Sequence, residues 1–151
     1  MAIRIAPIDN PGDLNQALAI REVVFIEEQA VPETLERDDE DAKAFHVLAY
    51  DGKHAIGTGR LVDLNHAPEG AKGHWGKIGR MAVLASNRKG GTGSKILTFL
   101  EDEAKKRGFD GIVLHAQVHA HQFYAKHGYT SFGPEFEEAG MPHVQMRKPL
   151  K

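Results

Sequence analysis

The sequence predicts a mixed α/β domain: one sheet, partly antiparallel and partly parallel, with helices packed on it. Three observations carry this. Two strand-like segments, Ala44 to Tyr50 and Ala55 to Leu64, flank Asp51-Gly52, a strong hairpin signal. A glycine-rich turn, Gly90-Gly91-Thr92-Gly93, opens a segment with Ile96, Leu97, Leu100 and Ala104 on one helical face. Beyond it, strand-like and helix-like segments alternate, which is how parallel strands are joined.

In order along the chain, Ile3-Arg4-Ile5 alternates as a strand does. Asn10-Pro11-Gly12 punctuates, and Asp13 or Asn10 can cap a helix carrying Leu14, Ala17, Leu18, Val23 and Phe25. The polar stretch Glu33 to Lys43 reads as a solvated loop or frayed helix end, whose acids would attract a cationic substrate. The hairpin follows, then a strand from Ile78 to Leu84. The helix Ser94 to Arg107 ends at Gly108, where a glycine suits the left-handed residue after a helix. Gly111 to His115 is a short buried strand, His119 to Lys126 a helix stopped by Gly128, and Tyr129 to Phe132 and His143 to Met146 the last strands. The predicted order is β-α-β-β-β-α-β-α-β-β.

The chain has 151 residues, a single domain spanning 1–151. With 19 Lys and Arg against 21 Asp and Glu, the formal net charge is −2, and no basic excess points to nucleic acid or an anionic membrane. There is no cysteine, hence no disulfide and no thiol nucleophile. Apolar runs such as Val23-Val24-Phe25-Ile26 are too short to span a bilayer, and Met1-Ala2-Ile3-Arg4 opens no signal peptide, so a cytoplasmic location is expected. His115, His119 and His121 are close in sequence, but a strand end falls between them, and no metal site is expected. Trp75 reads as packing or as a lip of a cleft.

The glycine turn is neither a Walker A loop, since Ser94 separates Gly93 from Lys95, nor a dinucleotide fingerprint, since Ile96 replaces the third glycine. What remains is Arg88-x-x-Gly91-x-Gly93 between a strand and a helix, a place where free N–H groups and the helix dipole suit phosphate. Some 24 residues beyond Gly93 stands Gln117-Val-His-Ala120-His-Gln-Phe123-Tyr124-Ala-Lys126-His-Gly128-Tyr129. Together these motifs resemble the GNAT superfamily, the Gcn5-related N-acetyltransferases, with Gln117 in place of the usual asparagine. Arg21-x-x-x-Phe25-x-x-Glu28-Gln29-x-x-Pro32 and Glu138-x-Gly140-Met-Pro142-His143-x-x-Met146 look like the ElaA-like subgroup.

The resemblance implies an acyl-CoA N-acyltransferase fold: a mixed six- to seven-stranded sheet, about four helices, and a V-shaped opening between strands 4 and 5. It implies that the backbone of Met81, Ala82 and Val83 lines the pantetheine arm of acetyl-CoA, like an added strand. It also implies that Arg88, Lys89, Gly90, Gly91, Thr92, Gly93 and Ser94 hold the pyrophosphate, with Gln117 and Tyr124 on the opposite wall. Tyr124 is then the proton donor to the leaving thiolate, since a phenol of pKa about 10 stays protonated at neutral pH. An acceptor amine with pKa about 10.4 must first lose a proton, at roughly 4.6 kcal/mol near pH 7. Glu28 and His143 are the candidate bases; His46 and Arg80 are further cleft candidates.

The expected activity is acetyl transfer from acetyl-CoA to a primary amine in a ternary complex. No acyl-enzyme is expected, since the chain has neither a cysteine nor a G-x-S-x-G serine. Two rivals stand beside it: a non-catalytic acyl-CoA sensor of the same fold, and a nucleotide-phosphate binder using the same turn. Exposed terminal strands leave room for a homodimer.

Overall fold

The computed structural model describes residues 2–151. Asn10 caps the first helix, its side chain accepting from the Asp13 N–H at 2.8 Å, so Asn10 rather than Asp13 is the cap. That helix, α1 (Pro11–Arg21), continues as a wider π-helical turn, Glu22–Glu28. After β1 (Ile3–Pro7), α1 and the short α2 (Glu33–Glu36) come β2 (Phe45–Asp51), β3 (His54–Asp63) and β4 (Trp75–Val83). Then follow α3 (Thr92–Lys106), β5 (Gly111–Gln117), α4 (His121–Lys126), β6 (Thr130–Glu138) and β7 (Met141–Pro149).

All seven strands form one sheet in the order β1-β2-β3-β4-β5-β7-β6. Every neighbouring pair is antiparallel except β4 and β5. Strands β4, β6 and β7 run longer than their apolar patterns indicate, because pairing continues through polar residues once neighbours supply the ladder.

Two apolar layers cover the sheet. Ile96, Leu97, Leu100 and Ala104 of α3 pack against Leu61, Ile78, Ile112, Leu114 and Met146. Glycines in β3 let α3 lie close: a Cβ on Gly59 would sit 2.8 Å from Ile96 Cγ2 and 3.0 Å from Leu100 Cδ1. On the other face, Ala17, Ile20 and Val24 pack on Leu48 and Ala82. Trp75 is packing: its ring lies over Gly111 and its Nε1 donates to the Lys72 carbonyl at 2.9 Å.

The polar stretch 33–43 departs from the expected solvated loop. Glu36 is buried and binds Arg21 Nε at 2.7 Å. Asp41 joins Arg21 and Arg60, and Asp38 joins Arg60 and Arg80. Its acids therefore anchor the segment to the sheet instead of presenting a free negative field; only residues such as Asp39 and Glu40 remain exposed and unpaired. Among the described residues no helix is long and apolar enough to cross a membrane.

Candidate active site

The site begins where β4 and β5 part. They pair only from Trp75–Gly111 to Lys77–Val113. Beyond that point β4 stays with β3, and β5 stays with β7 up to Gln117–His143. A bulge drives the separation: Thr58 faces Ala82 and Arg60 faces Gly79, so Arg80 and Met81 together oppose Gly59. Arg80 adopts φ +49°, a conformation that side chains rarely take. Its guanidinium donates to the Glu36 carbonyl at 3.0 Å and to Asp38 at 3.2 Å, so the anchored segment holds the bulge in place.

The opening is a cleft of about 940 Å³ lined by both strands, the π-helical turn, the α2 segment and the β6–β7 turn. A second hollow of about 290 Å³ adjoins it, lined by Met81, Val83, Arg88, Gly91, Gly93, Ser94, Ala120, Phe123 and Tyr124. Met81, Val83, Arg88, Ala120 and Tyr124 line both spaces, so the two are continuous.

At the second hollow, Gly91 takes φ +76° just before α3, a turn that glycine makes without strain. Gly93 faces the Phe123 ring, and Ser94 Oγ lies 3.0 Å from His127 Nε2. Lys89 and Gly90 are exposed at the rim, and Thr92 is buried beneath it. The first N–H groups of a helix have no partner within it, and here they border a cavity wide enough for a diphosphate. Ala82 turns its side chain into the α1 layer, which leaves its backbone on the cleft side of β4.

Tyr124 stands on the wall shared by both spaces. Its hydroxyl donates weakly to Met81 Sδ at 3.9 Å, and burial pushes its pKa up to about 12. His143, on β7, is buried, with Nδ1 2.8 Å from the Met141 carbonyl. A carbonyl only accepts, so Nδ1 carries the proton and Nε2 is left as the acceptor. Gln117 Nε2 donates to Gln29 Oε1 at 3.0 Å, tying β5 to the end of the π turn.

Glu28 sits apart from the deep cleft. Both its oxygens bind Arg88, each at 2.6 Å, and that hydrogen-bonded pair holds the carboxyl below its ordinary range. Arg88 also donates to the Val83 carbonyl at 2.8 Å. This geometry makes the pair a clamp between the π turn and the end of β4, and a poor proton acceptor of Glu28. His46 lies outside the cleft, with Nε2 2.9 Å from the Asp41 carbonyl, so it braces the anchored segment.

Four further residues, which the sequence did not single out as site residues, line the cleft. Lys77 and His115 come within 3.4 Å where the strands part, and His115 Nδ1 lies 3.1 Å from Glu138 Oε2. The His115 hydrogen bond, working against burial, holds the Glu138 carboxyl at about 2. Glu36 leaves one buried oxygen, Oε1, without a partner on the cleft wall. In sequence Lys77 is an isolated polar residue, His115 one of three nearby histidines, Glu138 the first residue of a motif and Glu36 part of a polar stretch, with nothing to join them. Only β5 alternation offered a hint, since Ile112, Leu114 and Ala116 face the core and the residues between them face away.

Comparison with known proteins agrees with this architecture. Residues 14–150 match the acetyltransferase (GNAT) domain. The chain is 39% identical over 140 residues to the uncharacterized N-acetyltransferase YjcF of Bacillus subtilis, covering 92% of this chain and 94% of that one. An acyl-CoA N-acyltransferase from Pseudomonas aeruginosa superposes with a TM-score of 0.81 at 22% identity, over 97% of this chain and 99% of that one. Escherichia coli ElaA does so with a TM-score of 0.81 at 21% identity, over 96% and 99%. The overall fold is thus shared, and the chain belongs to the GNAT acetyltransferase family, an acyltransferase by kinship.

Proposed function

We propose that the protein transfers an acetyl group from acetyl-CoA to a primary amine by direct attack within a ternary complex. The observation that carries this reading is the continuity of the two cavities through Tyr124 and the open edge of β4. An extended amide-bearing arm can pair with that edge, its diphosphate resting on the backbone of Arg88, Lys89, Gly90, Gly91, Thr92, Gly93 and Ser94. Met81, Ala82 and Val83 supply the edge, and Gln117 the facing wall.

The amine nitrogen attacks the thioester carbon, and its excess proton passes to His143 Nε2. A backbone N–H near Val83 stabilises the oxyanion. The C–S bond then breaks, and the sulfur takes the Tyr124 proton. A phenol near pKa 12 is a weak donor to a thiolate whose thiol has an ordinary pKa of about 8.5. The same dry surroundings destabilise the thiolate, so the gap narrows as water leaves the cleft. Glu28 serves this scheme as the Arg88 clamp. We assign the chain to the ElaA-like branch on its Arg21–Pro32 and Glu138–Met146 stretches and place it in the cytoplasm. A homodimer would use the outer edges of β1 or β6, which no strand covers.

The test is thiol release from acetyl-CoA across a panel of amines, with the wild type beside Tyr124→Phe. Amine-dependent release in the wild type, cut by about 10²-fold or more in the variant, is expected. CoA binding with no turnover on any amine would turn the protein into a sensor.

A further inference from the structure

We propose that the acceptor end of the cleft holds an anion subsite centred on the Lys77 ammonium, so that the acceptor is an amine carrying an acidic group. This rests on the acetyltransferase reading and narrows its substrate class.

Lys77 occupies the last β4 position that pairs with β5, opposite Val113, and lines the cleft half-buried. Its one polar neighbour is His115 Nδ1 at 3.4 Å. That nitrogen is already committed. Glu138 Oε2 lies 3.1 Å from it, and an ionised carboxylate can only accept, so Nδ1 carries a proton and donates it to Glu138. A nitrogen that donates cannot also accept from an ammonium. Among the described residues no carboxylate oxygen comes within 4.0 Å of Lys77 Nζ.

Of the neighbouring acids, Glu138 acts on Lys77 only across His115, and the others are held by arginines. Asp38 and Asp41 bind Arg60, and Glu36 and Asp38 bind Arg80. Burial lowers the Lys77 pKa, and the guanidiniums of Arg60 and Arg80 lower it further against the opposing pull of Glu138. A half-buried ammonium with no carboxylate or acceptor in contact is costly, and a ligand anion in direct contact reduces that cost. Nearby, His143 Nε2 is free to receive a proton from the amine of the same molecule. The cleft thus offers a cation for an acidic group and a base for an amine, the pairing found in an amino acid or an aminoalkyl phosphate.

The experiment measures binding of product-like ligands to the CoA complex by calorimetry. One arm sets N-acetyl amino acids against their primary amides; the other sets N-acetyl-ethanolamine phosphate against N-acetylethanolamine. The wild type is expected to favour the anionic member of one arm by about tenfold or more, as suits a charge-assisted contact. Lys77→Met should erase the preference and Lys77→Arg should keep it, with CoA affinity unchanged in both. Preference in the first arm identifies a carboxylate acceptor, and in the second a phosphate-bearing one. Equal binding of charged and neutral members in both arms overturns the subsite while leaving the acetyltransferase intact. Failure of CoA to bind overturns both.

Discussion

Tyr124 shows how one side chain acquires a role from its surroundings. Its ring is packed edge-on against Phe123 and Tyr129, at 5.0 and 6.0 Å between centroids, which fixes the hydroxyl at the junction of the two cavities. Because burial raises its pKa to about 12, the phenol keeps its proton through the whole working range. The pH profile of kcat should therefore rise as the amine and its base lose protons, with no fall from Tyr124 below about pH 11. A descending limb near pH 9 that vanishes in Tyr124→Phe would contradict this. Tyr124, His143 and the glycine turn were legible in the sequence because each lies in a contiguous motif. The meeting of Lys77, His115 and Glu138 was not, since they are 38 and 23 positions apart in sequence and only strand pairing joins them, although Glu138 itself lies in a motif. Glu28 was legible as a polar residue in a motif, but its Arg88 partner lies 60 positions away.

Among the elements, the bulged β4 and the segment that pins it matter most. Burial favours the protonated form of Asp41, yet the hydrogen bonds and charges of Arg21 and Arg60 outweigh it and hold the carboxyl at about 2, below its ordinary 3.8. A depressed carboxylate stabilises the fold above its unfolded pKa and loses that contribution as pH falls through the folded one. Stability should thus decline between about pH 4 and pH 2. Asp41→Asn should cost on the order of 1–2 kcal/mol at pH 7, after solvent screening, and flatten that decline. Urea denaturation at several pH values checks both. In β3, Gly59→Ala should destabilise by about 1–3 kcal/mol, since the added methyl collides with Ile96 and Leu100; thermal unfolding measures it. The hairpin at Asp51-Gly52 and helix α3 were readable from local pattern alone. The stretch 33–43 was misread because its charges are satisfied by Arg21, Arg60 and Arg80, which local composition does not reveal.

At the scale of the whole molecule, the sheet is two antiparallel halves joined by three residue pairs, β1 to β4 on one side and β5, β7 and β6 on the other. The core under α3 contains residues of both halves and keeps them together, while the far ends of β4 and β5 stand apart. That parting puts unpaired backbone groups inside a cleft instead of on an outer edge, where a ligand with amides of its own can complete the ladder. The general plan was legible because alternating strand and helix patterns follow the glycine turn. The opening itself was implied by family resemblance, since no local residue pattern states where two parallel strands cease to pair.

The most direct measurement is the backbone amide NMR spectrum during titration with CoA. Saturable shifts are expected at residues 91–94 and along 78–83 together, with slowed hydrogen exchange at β4 amides that gain a partner. Shifts confined to other surfaces, or exchange showing β4 and β5 already paired to their ends without CoA, would contradict this placement of CoA.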